Sequence, residues 1–381
     1  MKRVINSFLA LVFGVSCLVG CESESPTGGT SGSDFEEFGI VFDKNVIMAD
    51  GRDAVNFKVY YKGEDVTSSA LLYRVTGGVV DEKLQSMSFA TSTPGSYSFW
   101  ASYDAQNKTS KTVTINATEL EIPVALTECD GTQYKRRTFF HQHTGADCQF
   151  CPYMAKLLRE VINDEIKDKV VLAGIRNYNS SEAGFASIPN PAGSWPYLQI
   201  DYEMSRDYET PVESMRALVN DITASPAVAG ISANPVYYPD SKKIVCRVAV
   251  KAAVAGEYNV GLWLMQDNYY ATQQFRDPTK FDDSYHYHNN CVRVAESKYL
   301  GAHVGFPLGY MPAGETREWV FLIDVKDDWW TDAYAPVKLS DLHLAAFVTA
   351  PYVDGKDGKV YYKIVNVIDF PYNQPKAFDC L

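Results

Sequence analysis

Two cysteines with two residues between them, Cys148 and Cys151, stand in the stretch His143-Thr144-Gly145-Ala146-Asp147-Cys148-Gln149-Phe150-Cys151-Pro152, where an apolar strand pattern gives way to an amphipathic helical one. Such a pair can close a small local ring. A helix start behind it supplies unpaired N–H groups and a positive dipole end, both of which favour a thiolate. Upstream, Arg136-Arg137-Thr138-Phe139-Phe140-His141 reads as the incoming strand; downstream, Met154, Leu157, Leu158, Val161 and Ile162 share one helical face. Lys169-Val170-Val171-Leu172-Ala173-Gly174-Ile175 is then a short continuous apolar run, the pattern of a strand covered on both sides. The spacing predicts a βαβ unit with the cysteine pair at its first turn.

Further along, Trp195-Pro196-Tyr197 opens another strand pattern. A second helix is expected behind it, with Thr210 as N-cap, Pro211 at its first position, Glu213 completing a capping box, and Val212, Met215, Leu218, Val219 and Ile222 as its apolar stripe. A C-x-x-C at a strand-to-helix turn followed by a proline opening a later strand resembles the thioredoxin fold. That resemblance implies a cis-proline facing the cysteine pair, with Pro196 at the matching position, and assigns residues 130–225 to a thioredoxin-like α/β domain.

The flanks are β-rich. Val55, Phe57 and Val59 alternate with polar partners, as do Tyr97, Phe99, Ala101 and Tyr103, with Asp50-Gly51 and Pro94-Gly95 as turn chemistry. Residues 35–118 are expected to form an all-β sandwich. Ala49-Asp50-Gly51-Arg52-Asp53-Ala54, Gly63-Glu64-Asp65-Val66-Thr67 and Pro94-Gly95-Ser96-Tyr97 resemble the signatures of bacterial immunoglobulin-like spacer domains. Asn107-Lys108-Thr109 and Asn116-Ala117-Thr118 fit the glycosylation pattern and are read as ordinary turn and strand residues. Beyond Pro226 helical periodicity ends; Tyr258, Val260, Leu262 and Leu264 alternate, as do Trp319, Phe321 and Ile323, so residues 226–375 are expected to be a β-rich, sandwich-like carboxyl-terminal domain.

The amino terminus has Lys2 and Arg3 ahead of an apolar run from Phe8 to Val15, too short to span a membrane stably, and then Leu18-Val19-Gly20-Cys21. Residues 1–20 read as a signal peptide. The tetrapeptide resembles a bacterial lipobox, which implies acylation of Cys21, a membrane attachment through that lipid, and an outer-membrane or cell-surface location. Residues 21–34 are acidic and rich in Gly and Ser, a flexible tether. The formal net charge is −12 with no long basic run, so nucleic acid is not an expected partner. Of the eight cysteines, Cys17 lies in the signal and Cys21 at the lipobox; Cys129, Cys148, Cys151, Cys246, Cys291 and Cys380 remain, and spacing pairs only Cys148 with Cys151. Cys246 falls on the apolar side of its strand pattern and reads as a core thiol.

The lipobox, the Thr144-Gly145 turn with Cys148-x-x-Cys151-Pro152, and the later Tyr285-His286-Tyr287-His288-Asn289-Asn290-Cys291-Val292-Arg293 together resemble an outer-membrane lipoprotein family named after a twenty-eight-kilodalton outer membrane protein. The resemblance covers roughly residues 130–375 and implies a thioredoxin-like domain at the outer membrane, with adhesion or receptor roles. Three chemistries stay open for the cysteines. The first is a structural disulfide on a non-catalytic binding or adhesion protein with an extracellular protein or glycan ligand, to which the aromatic pairs Tyr269-Tyr270 and Trp329-Trp330 would suit. The second is envelope thiol-disulfide exchange, Cys148 attacking, Cys151 resolving and Pro196 shaping the groove. Against it, Gln142 stands where thioredoxins carry a buried carboxylate, Asp147 precedes the nucleophile, and Pro152 places the helix start at or after Cys148. The third is zinc held by His141, His143, Cys148 and Cys151. His286 and His288 repeat the i, i+2 spacing and read as a hydrogen-bonded loop. No cofactor is expected, and no Ser-His-Asp triad, phosphate loop or dinucleotide fingerprint is present.

Overall fold

The computed structural model describes residues 38–381 apart from 63, 127, 128, 130, 183, 300, 327–337, 355 and 356. The signal segment, Cys21, the tether and Trp329-Trp330 lie outside the described residues. The chain is a β-rich multidomain protein, and among the described residues no helix is long and apolar enough to cross a membrane.

Residues 38–118 form two sheets packed face to face. Val55, Phe57 and Val59 point inward from one, while Asn56 and Lys58 are exposed, because successive side chains in a strand leave on opposite faces. Phe99, Ala101, Val113 and Ile115 of the second sheet meet them, and Phe99 lies 4.9 Å from both Phe57 and Phe89. Asp50 closes an Asx turn by accepting from the N–H groups of Arg52 (2.7 Å) and Asp53 (2.8 Å), and Gly51 supplies the left-handed φ of +74°. Asn107 is the left-handed residue of a turn, and Asn116 lies within the strand Val113–Thr118.

A nine-stranded sheet dominates the rest. Its cysteine-bearing end runs in the order Met204–Arg206, Tyr197–Ile200, Thr138–Thr144, Val170–Arg176. Thr138–Thr144 is parallel to Val170–Arg176 and antiparallel to Tyr197–Ile200. Helix α1 (Cys151–Val161) and helix α2 (Val212–Ile222) lie together on one face, where Met154, Leu158, Val161, Met215 and Val219 pack on Phe140, Leu198 and Ile200. The expected capping box at α2 does not form. Pro211 takes an extended conformation and is itself the N-cap, the Thr210 hydroxyl donates to Asp207 (3.3 Å), and Glu213 pairs with Arg216 (2.8 Å).

The same sheet continues without a break. Gly174 pairs in parallel with Cys291, and through Cys291–Glu296 the ladder passes to Gly256–Gln266, Leu342–Val353 and Val360–Pro371. The sheet coils, so that Ile364 donates to Asp201 (2.9 Å) and Asn366 accepts from the N–H of Arg137 (3.1 Å). A three-stranded sheet, Ala229–Tyr238, Lys243–Ala252 and Thr316–Asp324, closes a sandwich over Leu262, Leu264, Leu344 and Ala346. Cys246 is buried in that core as a free thiol. Cys129 and Cys380 form a second disulfide, and Cys291 is free and buried.

One histidine in this sheet sets an alkaline limit. Burial by itself would lower the His343 imidazole from its ordinary 6.5, but Asp267 (3.5 Å from Nε2) and Asp369 (2.7 Å from Nδ1) outweigh it and push it up to about 10. A folded value above the unfolded one means that this stabilisation is complete below pH 6.5 and is lost as pH climbs through about 10. Urea unfolding across that window should show declining stability, and a His343→Gln variant, weaker at neutral pH, should lose most of the decline. An unchanged slope in the variant would refute the assignment.

Candidate functional site

Thr138–Thr144 is buried along its whole length and serves two sites through its alternation. Gln142 and Thr144 face the helices and the cysteine turn; His141 and His143 face the other side of the sheet.

On the first side the chain leaves the strand at Gly145, where a side chain has no room: a Cβ would stand 2.4 Å from Tyr178 Cβ and 2.6 Å from Glu182 Oε1. The turn that follows closes the Cys148–Cys151 disulfide, with sulfurs 2.07 Å apart. Helix α1 begins at Cys151 with Pro152 in its first turn, so Cys148 sits outside the helix. Both cysteines are covered, at 3% and 1% exposure.

The cover comes from a segment far away in sequence. The Gln273 side-chain amide donates to the carbonyls of Ala146 (2.9 Å), Cys148 (3.0 Å) and Gly145 (3.3 Å). Beside it, the Gln274 N–H donates to Ala146 (2.8 Å) and the Arg276 N–H to Gln149 (3.0 Å), and the Gln274 amide donates to the Asp147 carboxylate (3.0 Å). Residues 273–276 thus lie as a strap across the turn. The strap is itself anchored by the histidine loop: His286 Nδ1 accepts from the Gln273 N–H (2.9 Å), and His288 Nε2 stands 3.3 Å from the Ala271 carbonyl. Behind the strap a cavity of about 320 Å³ is lined by Gln142, Thr144, Cys151, Gln273, His288 and Cys291.

A buried ion pair braces the turn from the other flank. Arg176 Nη2 and Glu182 Oε2 are 2.9 Å apart with side-chain exposures of 1% and 6%, and Glu182 Oε1 accepts from the Asp147 N–H (3.3 Å). Asp147, which sequence reading treats as a nuisance to a nucleophile, is a tether here, taking Asn179 on Oδ2 (3.0 Å) and Gln274 on Oδ1.

On the opposite side of the sheet, His143 is positioned by a chain of assigned donors. Trp195 Nε1–H can only donate, and it meets Asn177 Oδ1 (2.8 Å). The Asn177 NH₂ therefore faces His143 Nδ1 (2.9 Å), which must accept, leaving the proton of the neutral ring on Nε2. Burial lowers the His143 imidazole to about 4 against the pull of that hydrogen bond, and burial likewise drives His141 well below its ordinary 6.5. Tyr202, in the left-handed turn Asp201-Tyr202, stacks on His141 at 4.7 Å. Both ring nitrogens of His141 and the Tyr202 hydroxyl are buried and have no hydrogen-bond partner among the described residues. His143 and Tyr202 line a second cavity of about 510 Å³ on this side of the sheet.

The zinc arrangement of His141, His143, Cys148 and Cys151 does not assemble. The two sulfurs are bonded to each other, the imidazoles face the other side of the sheet, and among the described residues no three His, Cys, Asp or Glu are grouped to hold a metal. The Trp195–Pro196 peptide is cis, and Pro196 precedes Tyr197, the strand partner of His143. The strap, the Arg176–Glu182 pair and the second cavity had no sequence signal.

No family model matches the chain, and no curated protein matches it. Among solved structures, HBP35 of Porphyromonas gingivalis aligns with a TM-score of 0.49 at 12% identity, over 64% of this chain and 77% of that one. Three N-terminal domains of the bacteriophage RB49 Highly Immunogenic Outer Capsid protein (Hoc) align with a TM-score of 0.17 at 8% identity, over 90% of this chain and 99% of that one. A function for this chain has to be argued from its own sites.

Proposed function

We propose that this chain is a lipid-anchored protein of the outer envelope that binds a ligand without catalysis, built on a thioredoxin-like scaffold whose Cys148–Cys151 disulfide is structural. The lipobox at Cys21 supports the anchor, and the sandwich of residues 38–118 suits a spacer between membrane and binding half. The observation that carries the reading is the strap. Thiol-disulfide exchange needs a thiolate to reach a sulfur in line with the S–S bond, and here both cysteines are buried under a turn that Gln273 and its neighbours hold through the Ala146 and Cys148 carbonyls. Gln142, which lines the cavity beside Cys151, also offers no carboxylate at the position from which thioredoxins serve the second thiol.

Reduction of the folded protein by a dithiol, followed by alkylation and a thiol count, tests this. The wild-type disulfide should resist reduction while the protein stays folded. Gln273→Ala should speed reduction about tenfold, since one buried hydrogen-bonding anchor is worth roughly 1–3 kcal/mol. Rapid reduction of the wild type by a thioredoxin, with a mixed disulfide trapped on Cys148 in Cys151→Ala, would establish thiol-disulfide exchange instead.

A further inference from the structure

The second cavity belongs to a different face of the sheet from the disulfide, and its lining differs from the surface around it. Charged residues make up 22% of the chain, yet no Asp, Glu, Lys or Arg lines this cavity. Ile175 and Ile188 form its apolar depth, both under 9% exposed, while Val360 (59% exposed) and Tyr361 (39% exposed) bring apolar surface to its rim. Exposed apolar side chains that border a concave apolar site mark a binding surface more often than scattered ones do. About 510 Å³ lies within the range of small-molecule sites, roughly 300–1,000 Å³.

The lining has no charged side chain but carries the polar groups of His143, His303 and Gln199 and several tyrosine hydroxyls. His143 presents Nε2, the nitrogen left after Asn177 has taken Nδ1. Gln199 spends one of its two amide N–H groups on the Tyr202 carbonyl (3.3 Å), which fixes the side chain in place. Tyr202, whose buried hydroxyl has no partner among the described residues, lines the cavity, and His141, whose ring nitrogens also have none, stacks on Tyr202 outside the lining. Leaving three such atoms buried costs about 1–3 kcal/mol each, a cost that a fold carries where the position serves something other than stability.

From this arrangement we infer that the cavity binds one small, uncharged, largely apolar ring compound carrying a hydrogen-bond acceptor such as a carbonyl, which His143 Nε2–H recognises. The inference rests on the binding reading above and gives it a ligand class. An anion finds no cation here, and a carboxylate would be stripped of water with nothing to replace it. A sugar would have to bury hydroxyls against Ile175 and Ile188 at the apolar depth.

The test uses the folded, signal-less chain with the neutral fluorophore phenyl-naphthylamine as probe, displaced by acetonaphthone, naphthalene, naphthoate or maltose. Acetonaphthone should displace the probe about tenfold more strongly than naphthalene, the difference one hydrogen bond makes. Naphthoate at neutral pH and maltose should displace it poorly. His143→Phe should keep probe binding and equalise acetonaphthone with naphthalene; Ala302→Trp, a change at an exposed rim position, should abolish probe binding while the unfolding midpoint stays put. Probe binding that is not saturable, or survives Ala302→Trp, would overturn the site. Preference for maltose or naphthoate, or an acetonaphthone preference that survives His143→Phe, would overturn the ligand class. The thiol count is independent of all these readouts, so a reactive disulfide would remove the non-catalytic reading and leave the cavity assignment standing.

Discussion

Replacing Glu182 with Gln is expected to lower the unfolding free energy by about 3–5 kcal/mol, a large share of the roughly 5–15 kcal/mol typical of a folded domain. The magnitude follows from burial. Arg176 is 1% exposed in its side chain, lies 4.9 Å from the Tyr269 ring, and keeps its charge in any accessible pH range. Without the Glu182 carboxylate at 2.9 Å that charge stays desolvated and uncompensated. An Arg176→Met, Glu182→Gln double variant, compared also with Arg176→Met alone, should recover much of the loss, because the apolar Met side chain removes the buried charge that had lost its partner. Urea unfolding of the three variants measures this as a cycle. A single-variant cost below about 1 kcal/mol would mean that water reaches Arg176. The turn should feel the change as well: with the Glu182 tie to Asp147 weakened, reduction of Cys148–Cys151 should quicken without Gln273 being touched.

The second large effect concerns the other disulfide. Cys129 and Cys380 are 251 residues apart in sequence, so their bond closes almost the entire carboxyl-terminal two thirds of the chain into one loop. A Cys129→Ser, Cys380→Ser pair should cost about 2–5 kcal/mol, chiefly by freeing the unfolded ensemble. Local structure should survive, because Lys135 donates to Asp379 (2.8 Å), Leu381 donates to Gln133 (3.0 Å), and Tyr134 packs on Phe378 at 5.8 Å. Probe binding in the cavity and the thiol behaviour of Cys148 should therefore match wild type at temperatures where the variant is folded. A cost under about 1 kcal/mol would show that those contacts, and not the covalent link, hold the terminus in place.

The elements that sequence made legible are those specified by neighbours in the chain. The strand before Gly145, the helix stripe of Met154, Leu157, Leu158 and Val161, and the alternation of Val55, Phe57 and Val59 depend on periods of a few residues, and the structure has them. The reading of His286 and His288 as a hydrogen-bonded loop also matches, since both bond to the segment at 271–273. What was not legible is non-local. Gln273 reaches Cys148 from 125 residues away with an amide that is chemically ordinary, and nothing in its own neighbourhood marks it. The pairing of Cys129 with Cys380 has no spacing rule behind it. The capping box at Thr210 gave way to local pairings: the Thr210 N–H goes to the Asp207 carbonyl (3.3 Å) and the Glu213 carboxylate, which would have taken it, pairs with Arg216 (2.8 Å).

Sheet continuity through Gly174 and Cys291 has a consequence for how a chain like this can change over time. A cut near residue 225 would leave Val170–Arg176 paired with Thr138–Thr144 but remove Cys291 from its other side, opening an edge there, and would carry off Gln273, uncovering the turn. Separating the two halves would therefore disturb the sheet and the turn together, and the amino-terminal sandwich is not loosely appended either: Asn45 makes two hydrogen bonds with Val320 (2.8 and 3.0 Å), and Val46 is buried against Val245 and Val320.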